Sequence, residues 1–418
     1  MLSAQSPYRG WPGKPRLGLA DQLALGFFWF PSNVLWTGLL LIVLPARVLQ
    51  LVGARQATGV LSWTSVVGVL VAIVVTPLAG ILSDRWRSPR GRRRPQMALG
   101  VLASLPFLAA VALAGSVGLF LLGLVGIQLF NNVGQAAYQG LIPDLVAPEQ
   151  RGEASGFMAF YNQAGVIVGG LLAAFLPAPG FTGAVALLLL AGVGVTWAFV
   201  REPPSLEEPR RPWVEELKGF LRWGETYRDF WWVFATRFLV MIGLYVLEQY
   251  LFYYLKFVLG VATPDRTVFL LLLVLSATAL VASLGAGYLS DRLRRRRFLV
   301  AVAGILQGAC ALLFVFSHSL GLIYAAAAVF GLGYGAYQSV DWALVVDTLP
   351  GGTPARDMGI WGASTTGPQL VALLAGGLLG HFVAPAVGLA TAYRLLFAVT
   401  ALFFAAGSGL VWQVRSVA

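Results

Sequence analysis

Residues 80–85 read Gly80-Ile81-Leu82-Ser83-Asp84-Arg85, and residues 287–292 read Gly287-Tyr288-Leu289-Ser290-Asp291-Arg292. Each stretch ends a long apolar run and is trailed by an arginine cluster, Arg85 to Arg94 in the first case and Arg292 to Arg297 in the second. A second pair repeats the relation: Ala137-Tyr138-Gln139 and Ala336-Tyr337-Gln338. The offsets, 207 and 199 residues, agree closely enough to point to one internal duplication. Repeats of that length are two halves of a molecule, not the short units of a solenoid.

Outward from these motifs the chain divides into apolar stretches of about 20 residues, the length that crosses a bilayer as a helix. They fall at 20–46, 56–82, 95–114, 117–141, 150–176 and 180–200, then at 230–259, 266–289, 297–318, 320–347, 356–383 and 390–413. The pattern predicts an all-α polytopic membrane protein with twelve spans in two pseudo-symmetric six-helix bundles. Residues 20–200 make the first bundle and 230–418 the second, with a segment 1–19 before them and a linker 201–229 between. In the linker, Trp213, Leu217, Phe220 and Leu221 recur at near-helical spacing, as a short amphipathic surface helix would have them. Composition agrees. The 418 residues are 58% hydrophobic and only 11% charged, more apolar surface than a soluble fold of this size can hide. One cysteine, Cys310, excludes a disulfide scaffold or a thiolate metal cluster, and two isolated histidines make no metal site.

The net charge of +11 would suggest nucleic acid in a soluble chain, but the arginines sit between apolar runs and no stacking aromatics accompany them. They read as topology determinants. Of the 29 Lys and Arg, 23 fall on one side of the spans, 5 on the other, and Arg237 lies within a span. Positive charge stays inside, so both termini are expected in the cytoplasm and the protein in the cell (inner or plasma) membrane. Pro7 to Pro15 is polar and turn-rich, unlike a cleavable signal peptide.

The loop motif, continued by Arg90-Gly91-Arg92-Arg93-Arg94-Pro95, resembles that of the major facilitator superfamily. More narrowly it is similar to the glycoside–pentoside–hexuronide:cation symporters and the neighbouring sucrose transporters. Asn131-Asn132-Val133-Gly134-Gln135, Leu141-Ile142-Pro143-Asp144-Leu145 and Pro368-Gln369 are similar to recurrent motifs of that branch. The resemblance implies two bundles that rock about a central cavity, and a monomer. It also implies that Asp84 with Arg85, and Asp291 with Arg292 more weakly, latch the halves in an outward-open state. The alternative for the arginines is topology alone. In sucrose transporters an Asp three residues before the Asn pair is implicated in proton coupling. Gln128 stands there, and an amide cannot titrate, so coupling uses another carboxylate or is absent.

Polar groups at membrane depth are costly and face the interior of a bundle. Gln128, Asn132, Gln135 and Gln139 share a helical face, with Asn131 and Tyr138 beside them. Tyr334, Tyr337, Gln338 and Asp341 share another; Trp29, Asn33 and Trp36 form a stripe, as do Trp361, Thr365 and Gln369. Amides beside flat rings suit a polyhydroxylated ligand, since amides donate and accept and rings pack on the apolar faces of a sugar. The other reading is that the amides tie helices together. Arg237 and Glu248 share one helix but lie about 16 Å apart along its axis, too far to pair. Desolvation raises the pKa of a carboxylate, as a proton carrier requires, and Asp341 or Glu248 is expected to carry the coupling cation, Asp341 before Glu248 for its place on the tyrosine–glutamine face; the alternative is a structural ion pair of Arg237 with an acid.

These residues predict a secondary transporter of a small polar solute, a sugar or glycoside, coupled to a cation (H⁺ before others). No cofactor, no metal and no enzymatic constellation are expected, and no phosphate-cradling glycine loop would drive it with ATP. The partners expected are substrate, cation and lipid. Two alternatives stand: an exporter of drugs or metabolites with the same fold, and a receptor or scaffold that has lost transport.

Overall fold

The computed structural model describes residues 10–147, 150–206, 228–293, 295–348 and 354–415, and every regular element within them is helical apart from one Trp11–Lys14 bridge. The amphipathic helix expected in the linker falls on 207–227, outside the described residues. Among the described residues, ten helical stretches are long and apolar enough to cross a membrane, against the twelve that the sequence suggests. Two features account for the lower figure. Leu19–Arg85 counts as one run of 67 residues. At 1.5 Å per residue a straight helix of that length would extend about 100 Å, some three bilayer cores, so the chain must turn back. It does so at Gly53, whose φ of 70° no bulky residue adopts readily. Arg151–Phe175 in turn has only Phe160–Phe175 as its apolar part.

The order is α1 (Leu19–Gly26), α2 (Trp29–Gly38), a π-helical turn (Leu39–Val43), α3 (Leu44–Arg85), α4 (Arg94–Leu113), α5 (Val117–Gln139), α6 (Leu141–Leu145), α7 (Arg151–Phe175) and α8 (Ala178–Phe199). After the linker come α9 (Arg228–Phe257), α10 (Pro264–Leu293), α11 (Arg296–Phe316), α12 (Leu320–Thr348), α13 (Pro354–Leu378), a second π-helical turn (Leu379–Val383), α14 (Ala384–Val387) and α15 (Leu389–Leu410). The short turn expected at 115–116 stands there, whereas the one expected at 177–179 falls at 176–177, because Pro177 caps a helix that begins at Ala178. At the first, the Ser116 hydroxyl caps α5 by accepting from the Leu119 amide at 3.3 Å.

The chain packs as two compact units. In the first, which holds the described residues up to Val43 and from Val67 to the linker, α4 lies on α5 and α8, and α2 lies on α7. Small residues set these distances: a Cβ at Gly100 would stand 2.5 Å from the Gly134 nitrogen, and one at Gly165 2.6 Å from the Phe30 carbonyl oxygen. Residues 10–18 also belong here. Trp11 and Leu17 are buried, and Gln150 holds Leu17 by both its amide nitrogen (2.8 Å) and its carbonyl (2.9 Å). In the second unit α10 and α11 pack on α12, and α9 and α11 on α15. Leu44–Val66 packs in this second unit, although it belongs to the first half by sequence. Leu99, Leu187, Phe199, Leu280, Phe316 and Leu402 are exposed, as side chains facing lipid would be.

Candidate functional site

In the first unit the helical period of α5 brings its amides to one face, where α2 supplies indoles. Trp36 Nε1 donates to Gln135 Oε1 at 3.2 Å. Asn132 Nδ2 donates to the Gln128 carbonyl (2.6 Å) and to Gln128 Oε1 (2.8 Å), four residues and one turn away. Asn33 Nδ2 donates to the Trp29 carbonyl at 2.8 Å. Trp29, Asn33, Trp36, Asn132 and Gln135 are half-buried, so this wall stays partly open, and it carries no charge. Three other candidates lie deeper. Gln128 is buried beside Gly68. Tyr138 is buried, donates to the Leu25 carbonyl at 2.5 Å and packs edge-on against Phe28 and Trp29. Asn131 is fully buried, and neither atom of its amide has a hydrogen-bond partner among the described residues.

In the second unit Arg237 on α9 forms an ion pair with Asp341 on α12, and Arg237 also donates to Thr365 Oγ1 at 3.4 Å. Gln338 Nε2 donates to the Tyr334 hydroxyl at 2.9 Å, while Tyr337, the counterpart of Tyr138 in the repeat, is again fully buried. Of the two carboxylates singled out by the sequence, Asp341 therefore takes the ion-pair role. Glu248 is half-buried and has no ion pair among the described residues. Gln369 is half-buried on α13. The side chains of Trp361, Asp291 and Arg292 lie outside the described residues.

The arginine run does more than hold a loop on one side. Arg92 grips Asp144 with Nη2 (2.8 and 2.9 Å) and Nε (3.1 Å), and Arg93 Nε reaches the same carboxylate at 2.9 Å. Arg93 Nη2 also donates to Asp84 at 2.5 Å. Burial opposes the Arg93 charge, but Asp144 and Asp84 outweigh it and push its pKa above the usual guanidinium value. Glu202 then accepts from the backbone amides of Arg92 (2.8 Å), Arg93 (3.0 Å) and Arg94 (3.1 Å), capping the start of α4 with a negative charge. The cap needs glycine beside it: Gly91 has φ 91°, and a Cβ there would lie 2.2 Å from Glu202. Arg94 lies over the Trp197 ring at 4.8 Å. Asp84, expected as a latch between halves, has Arg93 of its own unit as a partner; Arg85 follows it at the end of α3. The sequence quoted Asp144 only as part of a motif, and Glu202 gave no signal beyond being the first acid after the sixth apolar run.

A model described as the Major Facilitator Superfamily matches residues 30–366 and again 267–417. Over 193 residues the chain is 30% identical to the general alpha-glucoside permease of Schizosaccharomyces pombe, an alignment covering 40% of this chain and 34% of that protein. Over 143 residues it is 25% identical to the sucrose transport protein SUC3 of Arabidopsis thaliana, covering 29% and 24%. The alignments thus span about a third or less of those relatives. Among solved structures, a bacterial homologue of the human lysosomal transporter Spinster, inward-facing and unoccupied, superposes with TM-score 0.72 at 16% identity over 94% of this chain and 96% of that one. The nucleoside transporter NupG does so with TM-score 0.72 at 14% identity over 94% and 99%. At such identities the likeness is one of fold.

Proposed function

The chain belongs to the major facilitator superfamily, and on that premise we propose that it is a secondary carrier moving a sugar or glycoside by alternating access, coupled to H⁺. The observation that carries this reading is the neutral amide–indole wall of the first unit. Its groups donate and accept without charge and offer flat apolar faces, the chemistry that polyhydroxylated solutes match and ionic ones do not. The alpha-glucoside permease and the sucrose transport protein among its relatives point the same way. With Asp341 engaged by Arg237, Glu248 is the group that takes up and releases the coupling proton. Asp84 and Asp291, each with its following arginine, act in the conformational cycle. We place twelve spans in the cell membrane as a monomer, with both termini in the cytoplasm and bundles at 20–200 and 230–418 about the linker 201–229.

Uptake of labelled mono- and disaccharides into proteoliposomes, with and without an inward proton gradient, tests this. Accumulation of one sugar only under the gradient supports it. Expulsion of cationic dyes with no sugar movement would instead assign the wall to amphiphiles and the traffic to export.

A further inference from the structure

α11 and α15 pack together in the second unit, and a triangle of rings joins them at the end away from the arginines 292–297. Tyr254 on α9, Phe314 on α11 and Phe397 on α15 have centroids 4.9 to 5.8 Å apart, and the Tyr254 hydroxyl donates to the Phe314 carbonyl at 2.5 Å. At this end Arg394, about one and a half turns into α15, reaches His318, which follows the close of α11. Arg394 Nη2 donates to His318 Nδ1 at 3.0 Å and lies 3.5 Å from Nε2.

That contact leaves most of the guanidinium unused. No carboxylate pairs with Arg394 among the described residues, and its Nε is buried without a hydrogen-bond partner there. Arg92, Arg93 and Arg237 each have an acid. The neighbouring sequence offers Arg394 little compensation: segments 256–266, 317–319 and 384–394, which the helix order brings to this end, hold Lys256, Arg266 and Arg394 against Asp265 alone. A half-buried guanidinium with free donors and no anion is costly. Its surroundings are apolar and exposed. Leu395, Val399 and Leu402 continue from Arg394 along one side of α15, and Leu312 and Phe316 are exposed at the matching end of α11. A cation near the end of a span, with an apolar stripe running from it towards the bilayer centre, has the anatomy of a phospholipid in reverse. The fork of an arginine matches a phosphate bidentately.

We propose that Arg394 and His318 bind the phosphate of an anionic phospholipid, whose acyl chains lie along the exposed stripe of α15 and the adjoining end of α11. The lipid is the counter-ion that the chain itself does not supply, and it ties α15 to α11 from the membrane side. The site is independent of the sugar reading and stands or falls without it.

Native mass spectrometry of the full chain in detergent, titrated with dioleoylphosphatidylglycerol, tests this. The parent should hold the lipid at least fivefold more tightly than dioleoylphosphatidylcholine, whose choline already neutralises its phosphate. Arg394→Gln should weaken phosphatidylglycerol binding at least tenfold. His318→Ala, at an exposed position, should weaken it about threefold, and decides the matter if the first variant does not fold. Lys256→Gln removes the same charge from an exposed site at the same end, and should leave the affinity within about twofold. A loss in Lys256→Gln equal to that in Arg394→Gln would reduce the effect to general charge and overturn the site. Undiminished binding in Arg394→Gln, or phosphatidylcholine held as tightly as phosphatidylglycerol, would overturn it too. Inorganic phosphate, which lacks the chains, should not displace the lipid; displacement would assign the arginine to a free anion and overturn the lipid.

Discussion

The two ends of the helix that runs from the Gly53 break to Arg85 are held by opposite chemistry. Past Arg85, two arginines share Asp144, one of them also holds Asp84, and Glu202 caps three amides. Near the other end, Thr58, Ser62 and Ser65 meet tyrosine hydroxyls and an amide, with no charge among them. Ions taken out of water cannot be separated cheaply, whereas a neutral hydroxyl leaves one partner for another at little cost. The charged cluster therefore resists separation far more strongly than the hydroxyl seam.

The largest effect expected from breaking this contrast is Asp144→Ala. It removes the buried carboxylate that two largely buried arginines share and leaves Arg93 to the more exposed Asp84, so stability should fall by about 3–5 kcal/mol, read as a lowered melting temperature in detergent. Glu202→Ala frees the three amides at the start of α4 and should cost up to about 2 kcal/mol, the upper range for a lost cap. Tyr393→Phe removes one hydroxyl from the seam. Its stability cost should be only about 1 kcal/mol, while a thiol placed at position 65 becomes more open to an impermeant maleimide. A seam variant that destabilised as much as Asp144→Ala would erase the distinction. Asn131→Leu sharpens it from a third side. Replacing a buried, unpaired amide by an apolar group of similar size should leave stability unchanged or raise it by about 1 kcal/mol, yet uptake should fall if the amide serves substrate. Uptake and melting temperature both unchanged would make Asn131 mere packing.

Much of the fold was legible because the duplicated Ser-Asp-Arg motifs and the apolar period carry it. The break at Gly53 falls in the gap that the apolar runs 20–46 and 56–82 leave between them, although helix continues on both sides and only the backbone angle there divides residues 19–85. On α5 the period of 3.6 placed the amides together, but it could not tell Asn132, half-open on the wall, from Asn131 or Tyr138, turned into the core. Asp341 and Arg237 were both visible as membrane charges, and only packing decided which acid the arginine takes. The seam left no trace. Tyr250, Tyr253 and Tyr254 stand at i, i+3 and i+4 like any aromatic helix face, and Thr58 and Ser62 look like any small polar residue in a span until Tyr393 and Tyr250 are brought against them.

The central claim, a proton-coupled sugar carrier with Glu248 as the coupling group, is tested most directly by sugar uptake into proteoliposomes under an imposed inward proton gradient, comparing the parent with Glu248→Gln. The account expects the parent to concentrate sugar against its gradient. The variant should lose that accumulation at least tenfold while still exchanging sugar across the membrane at equal concentrations. A Glu248→Gln protein that concentrates sugar as well as the parent would contradict it.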